Sequence, residues 1–232
     1  TVSGVLMQNF DIERVEILRG PQGTLFGKNT TGGIVNIIRG DVTMDWGGDF
    51  SLAFDEHGRE DVKGVVNVPL IDDTLGIKLF GAQIKSDGWM YNTTLQEDVG
   101  GDDIINYGFA MKWQPSDSFN LKIHYERMED ESDQGAYVNT NRDTDFACLL
   151  PFLGDCYRTS NDTSTTNSMN GRNFSDNKYD TTIVTANWEI NSGLQLTYIG
   201  GFRDQNEQNM QHFDAGPADW LDMNYFNDWE QT

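Results

Sequence analysis

The stretch "RVEILRGPQGTLFGKNTTGGIVNIIRG", Arg14 to Gly40, sets two short apolar runs around a segment rich in Gly, Pro, Asn and Thr. Such a glycine loop first suggests a phosphate cradle. A dinucleotide fingerprint needs G-x-G-x-x-G opening a helix, and a P-loop needs G-x-x-x-x-G-K-[ST]. Here Gly23 and Gly27 stand four apart and Lys28 is followed by Asn29, so neither pattern is met. The periodicity instead predicts a strand over Ile12 to Leu18, a turn forced by Gly20, Pro21 and Gly23, and a second strand over Gly32 to Gly40.

Composition narrows the class. The chain has 232 residues, a net charge of -21 and a pI near 4.2. That charge excludes nucleic acid as a partner, because phosphate binding needs clustered Lys and Arg. With 12% aromatic and 37% hydrophobic residues the chain is too apolar to be disordered. The mean hydropathy is -0.56 and no apolar run is long enough for a transmembrane helix. A β-barrel is not excluded by this, since its strands hide apolar residues at every second position. Thr1 to Gly4 shows neither the basic region nor the apolar core of a signal peptide. The expectation is a chain that is either cytoplasmic or lacks its true N-terminus.

Beyond residue 48 the chain alternates. Phe50, Leu52 and Phe54 alternate with Ser51 and Ala53; Val66, Val68 and Leu70 with Val65 and Asn67; Leu75, Ile77 and Leu79 with Gly76, Lys78 and Phe80. Tyr107 to Trp113, Phe119 to Tyr125, Thr182 to Ile190 and Leu194 to Phe202 repeat the pattern, with Ile183 and Ile199 as exceptions. Period two places one apolar and one polar face on a strand. About seven strands of roughly ten residues are expected, the length that crosses a bilayer when tilted.

Tight connections fall at Asp72-Asp73, Pro115-Ser116-Asp117 and Asn191-Ser192-Gly193. Those alternating with them are mostly long: Asp87 to Asp103, Glu129 to Lys178, and from Asn206 onward. Short turns on one side and long polar loops on the other is the plan of outer-membrane barrels. Trp113, Phe119 and Trp188 all lie next to tight turns, as an interfacial aromatic girdle requires.

At "DIERVEILRGPQGTLFGKNTTGGIVNIIRG" the chain resembles the C-terminal half of the plug domain of TonB-dependent outer-membrane receptors, and the later alternation resembles the first part of that family's barrel. The resemblance implies an all-β fold: a plug-domain remnant over residues 1–45, then over 46–232 about seven antiparallel strands of a ~22-stranded transmembrane β-barrel. It implies a non-enzymatic transporter in the cell outer membrane of a Gram-negative bacterium, taking up a ferric siderophore with energy delivered by TonB. Cobalamin, haem or glycans are the alternative cargoes of the same class. No cofactor is implied; outer-membrane lipid and lipopolysaccharide are expected neighbours, and a monomer is the expected full-length state. The TonB box and the first plug half have no counterpart here, so the chain is expected to be an internal piece. Seven strands would leave two raw edges, near residues 49–56 and 194–206, and an odd count would put the sheet's two ends on opposite sides of the membrane.

The resemblance also assigns residues. Gly20, Pro21, Gly23, Gly27, Gly32 and Gly33 are the plug-motif turns. Arg19 of "LRGP" locks the plug to barrel glutamates, the plain alternative being a solvated strand-end charge. Thr1, Val2 and Ser3 fall at an apex near the ligand. In a chain exposed to the periplasm, Cys148 and Cys156 favour a disulfide, which over a loop of roughly nine residues contributes about 2.5 kcal/mol. It would stiffen the apolar patch Leu149 to Asp155, which either touches ligand or packs on other loops.

Glu126, Glu129, Asp130, Glu131 and Asp133 crowd one strand end and read as a solvated acidic rim, with Ca²⁺ as the other reading and no EF-hand spacing to support it. Asn161 to Asn173 reads as polar surface loop. His57, His124 and His212 are scattered, and no metal set or nucleophile–base pair is apparent. A passive porin-like barrel and a secreted lectin-like module compete with the receptor; the plug-like segment separates the receptor from the first, and solubility without detergent would mark the second.

Overall fold

Strands dominate the described residues. The computed structural model describes residues 10–26, 30–56, 58–135, 137–138, 166–167, 169–213 and 222–231. A hairpin comes first: β1 (Ile12–Arg19), one turn of helix α1 (Gly23–Phe26) and β2 (Gly33–Arg39), with Arg19 opposite Gly33. Gly33 has φ 133°, and a Cβ there would stand 2.5 Å from the Leu18 carbonyl oxygen, so only glycine closes this hairpin. Gly20 also has positive φ, whereas Gly23 and Gly32 have open space around them.

The remaining strands are β3 (Gly47–Phe54), β4 (Glu60–Ile71), β5 (Leu75–Lys85), β6 (Met90–Asn92), β7 (Glu97–Val99), β8 (Asp103–Ser116), β9 (Phe119–Asp130), β10 (Thr166–Asn167), β11 (Phe174–Asn191), β12 (Leu194–His212) and β13 (Asp222–Gln231). Among the described residues, eight form one antiparallel sheet in the order β13-β12-β11-β9-β8-β5-β4-β3, a meander in which each strand pairs with the next strand of that sheet along the chain.

The count corrects the expected seven. β12 continues to His212, and β13 adds an eighth strand in what the sequence presents as loop. The edges are β3 and β13, not β3 and β12, and an even count brings the start of β3 and the end of β13 to the same side. The long connections also carry structure: β6, β7 and β10 make a small separate sheet. Within the expected surface loop, Met169 is 1% exposed and Asn173 is buried. Asn92 holds this corner, donating to the Met169 carbonyl at 3.0 Å and accepting from the Thr94 and Leu95 amides.

The two faces of the large sheet are the reverse of a soluble globule. On one face Phe50, Leu52, Phe54, Leu79, Phe109, Trp113, Trp188 and Tyr198 stand exposed, Phe50 at 70%. On the other, Asp61, Lys78, Asn106, Glu126, Asp130, Asn177, Gln205 and Glu207 are buried. On β11 the apolar face runs from Thr182 to Ile190, the nine or so residues a tilted strand needs to cross a bilayer. Trp188 pairs in register with Phe119, whose ring meets Trp113 edge-on at 5.8 Å. The three aromatics named from sequence therefore share the apolar face at the tight-turn end, as a girdle does.

Candidate functional site

The hairpin meets the polar face at its open end. Register places Lys78 of β5, Ala110 of β8 and His124 of β9 side by side, with Gly108 and Glu126 in the next row and Asn106 beyond. Against this wall lie Phe10, Asp11 and the segment Arg39 to Asp41, the two ends of the hairpin.

Two charged anchors hold the contact. Lys78, 1% exposed, places Nζ 2.5 Å from Asp11 Oδ2 and also donates to the Gly40 carbonyl. Asp11 has φ 52°, a conformation costly outside glycine. Its carbonyl accepts the Gly40 amide at 2.8 Å, and a Cβ on Gly40 would stand 2.8 Å from Asp11 Oδ1. Arg39 forms the second anchor. Its Nη2 lies 2.5 Å from Glu126 Oε1, its Nη1 donates to the Phe10 carbonyl, and its guanidinium covers the Phe10 ring at 5.0 Å.

Glu126 is also held by Asn106 Nδ2 at 2.8 Å, while His124 Nε2 lies 3.2 Å from its other oxygen. Phe80 joins the parts, tilted against Phe10 at 6.1 Å and stacked on His124 at 5.4 Å. Buried ions this well paired fix a geometry even where their net stabilisation is small. At the margin Asp41 accepts from Lys122 at 2.7 Å. Burial opposes ionisation of its carboxyl, but the Lys122 hydrogen bond and charge, the Val42 amide and Lys112 hold it below the usual carboxylate range.

Arg19 lies at the exposed end of β1, away from these anchors, and Gln22 donates to its carbonyl. Arg14 pairs with Glu13 and Glu16, and Asn36 donates to Glu16, so these charges lie on the hairpin's own surface. Thr1, Val2, Ser3, Gly27, Cys148, Cys156 and His57 lie outside the described residues. The acidic rim divides: Glu126 and Asp130 are buried on the polar face, Glu129 pairs with Arg127, and Asp133 pairs with Arg172. Among the described residues no three metal-ligating side chains gather. Arg172 also takes Glu97 at 2.9 Å, tying β7 to the segment before β11.

No family model matches the chain. It is 27% identical over 234 residues to the ferrienterobactin receptor of Escherichia coli K12, covering 87% of this chain and 29% of that protein. It is 37% identical over 94 residues to the probable TonB-dependent siderophore receptor PirA of Acinetobacter baumannii, covering 38% of this chain and 11% of that one. The fold matches the ferric yersiniabactin uptake receptor FyuA of Yersinia pestis with a TM-score of 0.70 at 20% identity, over 86% of this chain and 29% of that structure. It matches the closed form of the ferric-catecholate import receptor Fiu of E. coli K12 at 0.66 and 16% identity, over 95% and 32%.

The chain is similar, over part of their length, to TonB-dependent siderophore receptors. It spans less than a third of the length of these relatives. The large sheet matches part of a TonB-dependent receptor barrel. Sequence reasoning found the family motif but missed Asp11, Arg39, Lys78 and Asn106, and placed Glu126 in a solvated rim. The available signal was a cation set against apolar neighbours: Arg39 after Ile37 and Ile38, and Lys78 between Ile77 and Leu79.

Proposed function

We propose that residues 1–45 form the C-terminal part of a plug, and 46–232 the first part of a ~22-stranded barrel, in a receptor that imports a ferric siderophore across the cell outer membrane. The observation that carries this reading is a hairpin whose root is fixed by Lys78–Asp11 and Glu126–Arg39 to the polar face of a sheet that is apolar on its other face. A passive porin-like barrel has no use for such a root. Iron-loaded cargo is supported by the relatives, which are receptors for ferrienterobactin, ferric yersiniabactin and ferric catecholates.

TonB supplies the energy in this reading, and lipid and lipopolysaccharide contact the apolar face framed by Trp113 and Trp188. Arg19 remains the residue that locks the plug to acids elsewhere on the barrel, and Thr1 to Ser3 stand near the cargo. A strain deleted for the full-length gene should lose growth on one ferric siderophore from a panel of iron sources and regain it on complementation. Unchanged growth on every ferric siderophore, with loss of growth on cobalamin, haem or a glycan instead, would reassign the cargo.

A further inference from the structure

Register sets Lys112 of β8 directly opposite Lys122 of β9 on the polar face. Like charges directly opposite are destabilising in a sheet. Both ammonium groups converge on one carboxylate oxygen: Lys122 Nζ lies 2.7 Å and Lys112 Nζ 3.7 Å from Asp41 Oδ2. Asp41 is not part of the wall. It belongs to the linker between β2 and β3, which lies so close over Gly76, the register partner of Lys112, that a Cβ there would meet the Thr43 carbonyl oxygen at 2.8 Å. The linker thus covers a shelf made of Gly76, Lys112 and Lys122. The neighbouring Lys78 is already satisfied by Asp11 and Gly40, and among the described residues the two shelf lysines pair with Asp41.

We propose that Lys112 and Lys122 form an anion site on the lumen wall, which Asp41 occupies as an internal stand-in and which accepts the anionic oxygens of a metal chelate when the linker shifts. The inference rests on the receptor reading above and deepens it, since it makes the cargo an anionic chelate. Lysine suits a transit site: its compact, hydrated charge attracts carboxylate or phenolate oxygens without demanding the planar geometry that arginine does. A partly open ion pair is weak enough to exchange one anion for another.

The test uses the full-length receptor in detergent, with citrate as probe and calorimetry as readout. Asp41→Asn removes the internal competitor and should tighten citrate binding about tenfold, or roughly 1.4 kcal/mol. Adding Lys112→Gln and Lys122→Gln should abolish the gain. No gain in Asp41→Asn, or a gain that survives loss of both lysines, would overturn the proposal. Should Asp41→Asn fail to assemble, the Lys112→Gln/Lys122→Gln receptor decides: uptake of an anionic ferric chelate should slow while uptake of a neutral ferric hydroxamate stays unchanged, and equal rates for both would overturn it. The citrate arm requires no transport, so its failure is distinct from failure of the receptor reading, which would appear as no energised uptake by the unaltered protein.

Discussion

Lys78 and Asp11 meet at 2.5 Å, one from the polar face of the large sheet and the other from the foot of the hairpin, with the lysine 1% exposed. Removing one partner of a buried pair leaves an uncompensated charge, at a cost of about 3–5 kcal/mol. Asp11→Asn should therefore release the hairpin root, seen as faster protease cleavage near Gly40 in the full-length protein. Lys78→Met combined with Asp11→Asn should be milder than Asp11→Asn alone, because no charge is left buried. A double variant at least as fragile as the single would contradict this account of the anchor.

Glu126 serves Arg39, Asn106 and His124 together. Effects of Arg39→Gln and Glu126→Gln on the same cleavage should then be strongly non-additive, with a coupling of about 0.5–3 kcal/mol by double-mutant cycle. Simple addition would show that the two act separately.

Ile183 and Val184 are neighbours of similar apolarity on opposite faces. Ile183 stands opposite His124 on the polar face, and Val184 stands opposite Ile123 on the apolar face. Arginine on the lipid side near the bilayer midplane costs about 2–4 kcal/mol, whereas lumen positions tolerate charge. Val184→Arg should lower the yield of heat-modifiable barrel, and Ile183→Arg should not. The opposite ranking would place the membrane on the wrong face.

Acid should loosen the linker and the loop clasp. Asp41 and Glu97 both titrate below the usual carboxylate range; for Asp41 burial opposes ionisation but Lys122 outweighs it, and for Glu97 the Arg172 hydrogen bond is the main cause. A carboxyl depressed in the folded state contributes stability above its unfolded value and loses it as pH falls through its folded value. Proteolysis at the linker and near Arg172 should accordingly increase as pH drops from the usual carboxylate range to below it, and Asp41→Asn should flatten the linker's response.

The strands were legible where one face is apolar and the other polar, from Phe50 to Phe202. β13 was not, because Met223, Tyr225 and Trp229 share one face with Asn227, while Phe226 shares the other with Asn224 and Asp228. Both faces are mixed, so period two carries no contrast. The anchors were hidden for a different reason. Arg39 and Glu126 are 87 residues apart, and only the register of β5, β8 and β9 brings Lys78, Asn106 and Glu126 beneath one hairpin. Residue type alone marks them as members of a polar face, not as partners of Asp11 and Arg39.

The cysteine pair gives an independent check on the compartment. Cys148 and Cys156 should be joined in protein isolated from the outer membrane, as a peptide mass shift of two hydrogens on reduction. Free thiols at both positions in freshly isolated protein would contradict the disulfide.

Energised uptake tests the central claim most directly. Cells carrying the full-length gene should accumulate radioactive iron from a ferric siderophore against a gradient, and a protonophore should abolish that accumulation while leaving surface binding intact. Accumulation that only equilibrates with the medium and ignores the protonophore would mean a passive barrel, and would contradict the reading of the docked hairpin as a plug.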